Sequence, residues 1–184
     1  MSEKPFVHLH VHSEYSLLDG ANKCDSLASA AKEMGMDSIA VTDHGVMYGC
    51  VEFYNRCRSQ EVKPILGCEV YVDPNGYTCR EGKNQYHLIL LAENEEGYHN
   101  LMRIVSVANT DGFYYKPRID HELLAKHSKG LIGASACLGG EIPSLIMKGD
   151  NEGALSRAAL YRDILGDGNF FLELQHNSIP EQAI

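Results

Sequence analysis

The feature that most constrains the fold is a regular alternation of short apolar runs with helical patterns along 184 residues. Apolar side chains recur at helical spacing between the runs, as in Val51, Tyr54 and Cys57. The runs themselves are bounded by turn or capping residues and predict strands at Phe6–Val11, Ser38–Thr42, Pro64–Val72, Tyr86–Ala92, Gly130–Ser135 and Phe170–Gln175. Strands that alternate with helices pair in parallel through right-handed crossovers, so the sequence predicts an α/β fold.

Two arrangements of such a fold fit this pattern, an open doubly wound sheet and a (β/α) barrel. No Gly-x-Gly-x-x-Gly or Walker loop follows the first predicted strand, so the nucleotide-binding versions of the open sheet lack their motif. Polar and potentially reactive residues instead fall at the carboxyl ends of several strands, where barrel enzymes build their sites. We therefore expect a parallel barrel.

Composition narrows the class of protein further. A chain that is 44% hydrophobic and of this length suits one domain with a sizeable core, and it contains no apolar run long enough to span a membrane. Its six cysteines include no Cys-x-x-Cys pair, which excludes a zinc ribbon and favours buried thiols in a reducing cytoplasm. The formal net charge of -9 argues against a surface that grips nucleic acid by itself.

The strongest local signal is the run His8-Leu9-His10-Val11-His12. Side chains alternate faces along a strand, so the three imidazoles of His8, His10 and His12 should project to one side. An exposed edge strand is the alternative interpretation, but three closely spaced histidines between apolar neighbours make a poor solvent-facing design. The spacing predicts a set of nitrogen ligands.

Further ligand types follow the other strands. Glu69 interrupts the apolar run Ile65–Val70 in a strand that should be buried, where a carboxylate needs a cation or a strong partner. His87 lies in the next apolar strand, with a hydrogen-bonded core histidine as the alternative. Asp19 before Gly20 and His44 after a strand each have a turn or loop role as the alternative, and Cys137 that of a small buried apolar residue.

Taken together, imidazoles, carboxylates and a thiol from several strand ends form the ligand set of a cluster of divalent metals, with zinc, manganese or iron compatible. Such a cluster clamps a phosphate and activates water, so the chemistry indicated is phosphoester hydrolysis. We expect His99, His121 and His127 to be solvated, because they lie among charged residues. His176 follows the last predicted strand and could face the mouth of the site.

The stretch from His10 to Gly20 resembles the first motif of the PHP (polymerase and histidinol phosphatase) domain family. Further stretches are similar to the branch of that family found in alpha subunits of bacterial DNA polymerase III, most specifically Gly112–Asp120. The other matching stretches are Thr42–Gly45, Lys63–Gly67 and His87–Ala92. The resemblance implies a distorted barrel with a multinuclear metal site, spanning residues 1–184 and cut before its last strand or strands, with the polymerase domains absent.

The resemblance also implies site residues and cofactors. Its metal-ligand positions fall on His10, His12, Asp19, His44, Glu69, His87 and Cys137, which leaves His8 outside the set. Within that set it implies catalytic roles for His12, Asp19 and Glu69. The closing Asp-x-His motif of the family does not occur after Cys137 and would lie beyond Ile184. The implied cofactors are zinc or manganese in this site, and magnesium in the polymerase part.

The resemblance implies a replicative DNA polymerase that acts on DNA and deoxynucleotides in the cytoplasm, away from membranes. Its expected partners are the sliding clamp, other replicase subunits and a proofreading exonuclease subunit. The domain itself is expected to be a phosphoesterase and a candidate 3′-5′ exonuclease. Two alternatives stay open, a free histidinol-phosphatase-like phosphoesterase and a metal-binding module that docks a separate exonuclease.

Overall fold

The computed structural model describes residues 6–17, 19–82 and 85–183. Leu18 of the first motif and the two ends of the predicted domain, residues 1–5 and 184, lie outside the described residues. The strands are β1 (Ser38–Val41), β2 (Lys63–Val72), β3 (Tyr86–Ala92), β4 (Phe113–Tyr114), β5 (Lys116–Ile119), β6 (Leu131–Ala134) and β7 (Phe170–Phe171). The helices are α1 (Cys24–Glu33), α2 (Cys50–Ser59), α3 (Glu95–Thr110), α4 (His121–Lys126), α5 (Glu141–Met147) and α6 (Asn151–Leu165), followed by a 3₁₀ turn at Pro180–Ala183.

The sheet is organised around β2, its longest strand in the described chain. The strand order is β4-β5-β2-β3-β6-β7, and β1 pairs in parallel with the first half of β2. Parallel pairing also joins β2 to β5 and β6 to β7, whereas β3 runs antiparallel to both β2 and β6. The predicted α/β class is therefore confirmed, with a sheet that is mixed and not wholly parallel.

The predicted distorted parallel barrel, cut before its last strand or strands, is not confirmed in its barrel shape. The order of the described strands is linear from β4 to β7 and does not close on itself. β3 runs antiparallel because a loop, and not a crossover helix, connects it to β2. The short hairpin of β4 and β5, whose residues pair from Phe113 with Pro117 to Tyr114 with Lys116, was missed because turn signals and a proline obscure it.

The first predicted strand is also wrong as a regular strand. Phe6–Val11 contains no assigned strand, although its backbone runs beside β1 through hydrogen bonds from Ala40 N to His8 O and from Thr42 N to Val11 O, at 2.9 and 2.8 Å. The last strand, predicted over Phe170–Gln175, ends at Phe171. Both segments are extended, and both lead polar side chains toward the same part of the sheet.

Helices pack against the sheet, and the apolar face predicted for α2 is only partly the buried one. α2 buries Cys50, Phe53 and Cys57, so the predicted apolar face is wrong at Val51 and Tyr54, which are exposed. Asn94 and Asp120 cap α3 and α4 by accepting hydrogen bonds from the amides of Gly97 and Leu123. The largest core cluster packs α3, α4 and α6 against β2 and β3.

A buried ion pair stabilises the loop between β2 and β3. Arg118 on β5 and Asp73 after β2 are both fully buried, with Arg118 Nη1 2.6 Å from Asp73 Oδ2. Arg118 also donates hydrogen bonds to the carbonyl groups of Tyr77 and Cys79, which ties down the loop between β2 and β3. Because this loop has no regular structure of its own, the guanidinium group takes the place of a strand partner.

A second buried group contradicts one expectation for the histidines. His121 is not solvated, because its Nε2 lies 3.0 Å from the buried carboxylate of Glu141 and its ring packs against Tyr161. Arg157 lies 2.9 Å from the same carboxylate. Glu141 therefore links α4, α5 and α6 through side chains whose charges the sequence presents as ordinary helix surface.

The cysteines and the apolar helices were the subject of two expectations from composition. Cys24, Cys50, Cys57 and Cys68 are buried, and burial raises the pKa of Cys50 to about 12, so this thiol is inert. No helix in the described part of the chain has both the length and the apolar character needed to cross a membrane.

We expect Arg118→Met to lower the free energy of unfolding by about 3–5 kcal/mol, because it leaves the buried Asp73 carboxylate without its cation. Urea unfolding followed by circular dichroism measures this loss. As a matched control, Lys32→Met removes the exposed pair with Glu61 and should cost less than about 1 kcal/mol. Equal losses in the two variants would contradict the role given to Arg118.

Candidate metal centre

One carboxylate lies at the middle of the predicted site. Glu69 lies in the buried half of β2 with only 1% of its side chain exposed. Pairing of β2 with β3 places Glu69 diagonally across from His87, because Tyr71 pairs with His87 and Glu69 with Ile89. On the other side of β2, His44 forms an isolated bridge with Glu69 as the chain leaves β1. Strand register thus brings two predicted ligands to Glu69 from opposite sides.

The His-x-His segment supplies two more imidazoles from the extended chain beside β1. Alternation along this segment puts His10 and His12 on one face. Their Nε2 atoms lie 3.2 and 3.0 Å from Glu69 Oε2. His8 is exposed and contacts Phe6, and among the described residues it belongs to none of the ligand groups, which take only His10 and His12 from this segment.

Asp19 and His44 form the open side of the site. His44 Nε2 lies 2.7 Å from Asp19 Oδ2, and His44 Nδ1 lies 3.2 Å from Glu69 Oε2. The exposed fraction of the side chains rises from 1% at Glu69 through 24% at His12 to 46% at Asp19. A ligand would therefore approach this cluster from the Asp19 side.

Asp43, which precedes His44, builds the loop that carries Asp19. Its buried carboxylate accepts hydrogen bonds from Ser13 N at 2.6 Å, from Ser13 Oγ at 2.7 Å and from Ser16 Oγ at 3.3 Å. Gly20 lets the loop close, because a Cβ there would lie 1.7 Å from Ser13 O. Asp43 was not among the predicted site residues, although Asp with nearby serines is a common loop-forming signal.

His87 and Cys137 complete the set. His87 Nδ1 lies 2.5 Å from Glu69 Oε1, and Cys137 Sγ lies 3.5 Å from the same nitrogen. Burial raises the pKa of Cys137, but hydrogen bonds with His87 and the backbone of Gly139, together with the charge of His87, outweigh burial and lower the pKa overall. The thiol is therefore nearer to its metal-binding thiolate form than the buried cysteines are.

The charge balance of the cluster is set by Glu69. Burial opposes its ionisation, but contacts with His10, His12 and His87 prevail and hold its pKa well below the usual range. Burial likewise opposes protonation of His10, yet hydrogen bonds with Glu173 and Glu69 raise its pKa to about 10. At His44 burial wins and the pKa is lowered. Glu69 is thus an anion that needs positive charge around it.

The donor atoms fit divalent metals on evidence internal to the site. Glu69 Oε1 and His44 Nδ1 are buried atoms with no well-aligned hydrogen-bond partner among the described residues. Three groups bring their ligand atoms within 4.8 Å of one another: His10, His12 and Glu69; His12, Asp19 and His44; and His44, Glu69 and His87. Shared residues make these groups neighbours, as a multinuclear site requires. Cys137 adjoins the third group through His87.

Two residues around the cluster were missed. Glu173 Oε1 lies 2.7 Å from His10 Nδ1, and Gln175 Nε2 donates a hydrogen bond to the same carboxylate oxygen at 2.7 Å. A carboxylate behind an imidazole orients it and strengthens it as a ligand. The signal was present in the sequence, because Glu173 and Gln175 alternate with apolar residues past β7.

A cavity of about 400 Å³ adjoins the cluster on the side of Cys137 and Glu173. Its other walls are mostly apolar and include Leu138, Ile142 and Leu172. His176 also lines this cavity, so it faces a space beside the metal ligands and not the ligand groups themselves.

Comparison with known proteins gives consistent results. The PHP domain family matches residues 8–177. DNA polymerase III subunit alpha of Treponema pallidum is 46% identical over 186 residues, and that of Deinococcus radiodurans 48% over 190. The matches cover 99% and 97% of this chain but only 16% and 14% of those proteins. A candidate metal-dependent phosphoesterase of Bifidobacterium adolescentis shares the fold, with a TM-score of 0.56, 13% identity, and coverage of 97% of this chain and 82% of that one.

We expect Glu69→Gln to lower the metal content per chain by at least about half, because the variant removes the anion shared by two ligand groups. Elemental analysis after loading with zinc or manganese measures this content. Glu141→Gln is the matched control. Glu141 is also a buried carboxylate in contact with a histidine, and Arg157 lies beside it, but it lies outside the ligand groups. Unchanged metal content in Glu69→Gln would remove Glu69 from the site.

We expect Glu173→Ala to weaken metal affinity about 10-fold or more while leaving the number of sites unchanged, because His10 loses the carboxylate that orients it. Competition with a chromophoric chelator gives the affinity. Glu181→Ala, an exposed carboxylate a few residues further on, should have no effect. An affinity loss below about 2-fold for Glu173→Ala would show that His10 is held by other contacts.

Proposed function

Since the chain belongs to the PHP domain family, we propose that its histidine and carboxylate cluster is the active site of a metal-dependent phosphoesterase. The observation that carries the proposal is the set of three ligand groups joined by Glu69, His12 and His44. Neighbouring cation sites suit a phosphoester, because its negative oxygens need more than one positive centre. Zinc or manganese is proposed as the metal, in keeping with imidazole and carboxylate donors.

The residues that would hold these ions are His10, His12, Asp19, His44, Glu69, His87 and Cys137. Bound ions of this kind supply Lewis-acid polarisation of a phosphoryl oxygen and lower the pKa of water. Contacts within the chain hold these donor atoms in place. Glu69 contacts His44 from the buried side of the site, Glu173 orients His10, and Asp19 orients His44. His12, Asp19 and Glu69 are proposed as catalytic, with Asp19 at the open side where a phosphate would arrive.

The proposed substrate is a phosphodiester at the 3′ end of DNA, so that the domain acts as a 3′-5′ exonuclease. This proposal is supported by the relatives named DNA polymerase III subunit alpha, of which the chain spans 14% to 16%. For the whole protein we propose replicative DNA polymerase activity on DNA and deoxynucleotides, with magnesium in the polymerase part. Its proposed location is the cytoplasm, and its proposed partners are the sliding clamp, other replicase subunits and an exonuclease subunit.

In the full-length protein, we expect a His12→Asn, Asp19→Asn double variant to lose 3′ excision by at least about 100-fold while nucleotide addition changes less than about 2-fold. The two changes remove two members of one ligand group and one member of a second group, and they leave Glu69 in place. Excision of a labelled mispaired primer and its extension with deoxynucleotides are measured side by side.

The matched control is His99→Asn with Asp167→Asn, which alters the same residue types at exposed positions away from the cluster. It should leave both activities unchanged. Parallel loss of excision and extension in the His12→Asn, Asp19→Asn variant, with circular dichroism unchanged, would contradict the assignment of excision to this site.

A further inference from the structure

The hairpin formed by β4 and β5 packs against the loop that carries His44, and it supplies none of the ligand groups. A Cβ on Gly45, the residue after His44, would lie 2.4 Å from Pro117 Cγ and 3.3 Å from Tyr71 Cε2. The loop that carries His44 is therefore in close contact with the hairpin. Its tip, residues 114–116, lies within Gly112–Asp120, the most specific stretch of the family resemblance, and has so far no chemical role.

Lys116 brings a cation to this edge of the site. Its Nζ lies 5.2 Å from the centre of the Tyr71 ring, and the Tyr71 ring lies 5.2 Å from that of His87, so the ammonium lies within about 10 Å of a proposed ligand. Tyr71 also stacks on His44 at 5.8 Å with an angle of 12° between the rings. No carboxylate among the described residues forms an ion pair with Lys116.

Tyr115, the residue before Lys116, adds an exposed aromatic ring to the tip of the hairpin. The residue is 61% exposed, and its ring meets Tyr114 edge-on at 4.6 Å. Its backbone φ of 64° lies in the left-handed region, which glycine occupies without strain and an aromatic residue does not. A strained tyrosine at a hairpin tip is explained if its side chain has a use there. Tyr114 beneath it is fixed by the buried Arg118, 5.1 Å from its ring.

Proteins bind single-stranded nucleic acid with aromatic rings that stack on bases and cations that contact the backbone, and the hairpin tip carries one residue of each kind at adjacent positions. We propose that Lys116 and Tyr115 bind the nucleotide next to the bond cleaved at the metal centre, Lys116 through its phosphate and Tyr115 through its base. This inference rests on the proposed phosphoesterase function and specifies its substrate as a single-stranded nucleic-acid end. In a chain of net charge -9, such a local cation also gives the strand a defined place to dock.

The test compares two substrates in the full-length protein loaded with manganese. One is a short single-stranded oligodeoxynucleotide, and the other is methyl p-nitrophenyl phosphate, a diester with neither a neighbouring phosphate nor a base. Lys116→Gln should raise KM for the oligonucleotide about 10-fold, leave kcat unchanged and reduce the slope of log KM against log salt concentration by about 0.7. Hydrolysis of the small diester should stay within about 2-fold of the wild type.

Conservative and distant variants sharpen the result. Lys116→Arg and Tyr115→Phe should keep oligonucleotide KM near the wild-type value, whereas Tyr115→Ala should raise it about 10-fold. Lys129 is an exposed lysine that pairs with Glu96 away from the hairpin, so Lys129→Gln should leave hydrolysis of both substrates unchanged. These outcomes separate substrate positioning from a structural role of the hairpin.

The inference is overturned if Lys116→Gln and Tyr115→Ala leave oligonucleotide KM unchanged, or if they slow both substrates alike. In either case the wild-type rate on the small diester would still support the phosphoesterase function. If the metal-loaded wild type hydrolyses neither substrate, the proposed function fails and this inference fails with it.

Discussion

The ionised carboxylate of Glu69 in an otherwise apolar half-strand is the constraint on which the rest of the structure depends. Removing such a charge from water costs several kcal/mol unless opposite charge and hydrogen bonds replace the solvent. Four imidazoles lie within 3.2 Å of its two oxygens, and they come from parts of the chain that are distant in sequence. The fold stabilises Glu69 only by bringing those segments together. The same arrangement makes the set of ligand atoms.

The surrounding polar residues are best understood as supports for that arrangement. Asp43 fixes the loop that carries Asp19, Glu173 fixes His10, and Tyr71 packs against both His44 and His87. Each contact limits the rotation of a ligand, which lowers the entropy lost when a cation is bound. Arg118 plays a comparable part at the hairpin, where its buried charge anchors the loop after β2 and supports the ring of Tyr114.

Polar residues in apolar surroundings could be identified from the sequence more reliably than strand direction or the buried faces of helices. Glu69 and His87 were identified because a charged or polar side chain interrupts an apolar strand, and the structure places them 2.5 Å apart. The antiparallel pairing of β2 with β3 could not be predicted, because the loop between them is as long as a crossover connection. The faces of α2 were misjudged at Val51 and Tyr54, since helical spacing alone does not tell which of two apolar stripes is buried. The contact between His121 and Glu141 joins two different helices, and no local pattern reveals it.

The central claim is that the positive charge around Glu69 is supplied by divalent metal ions. Anomalous diffraction at the zinc or manganese absorption edge, on crystals of the metal-loaded protein, tests it most directly. The account predicts at least two anomalous peaks, one bonded to Glu69 together with His10 and His12 and another shared by His12, Asp19 and His44. A metal-loaded crystal with no peak in contact with Glu69, and with the four imidazoles still around its carboxylate, would contradict it.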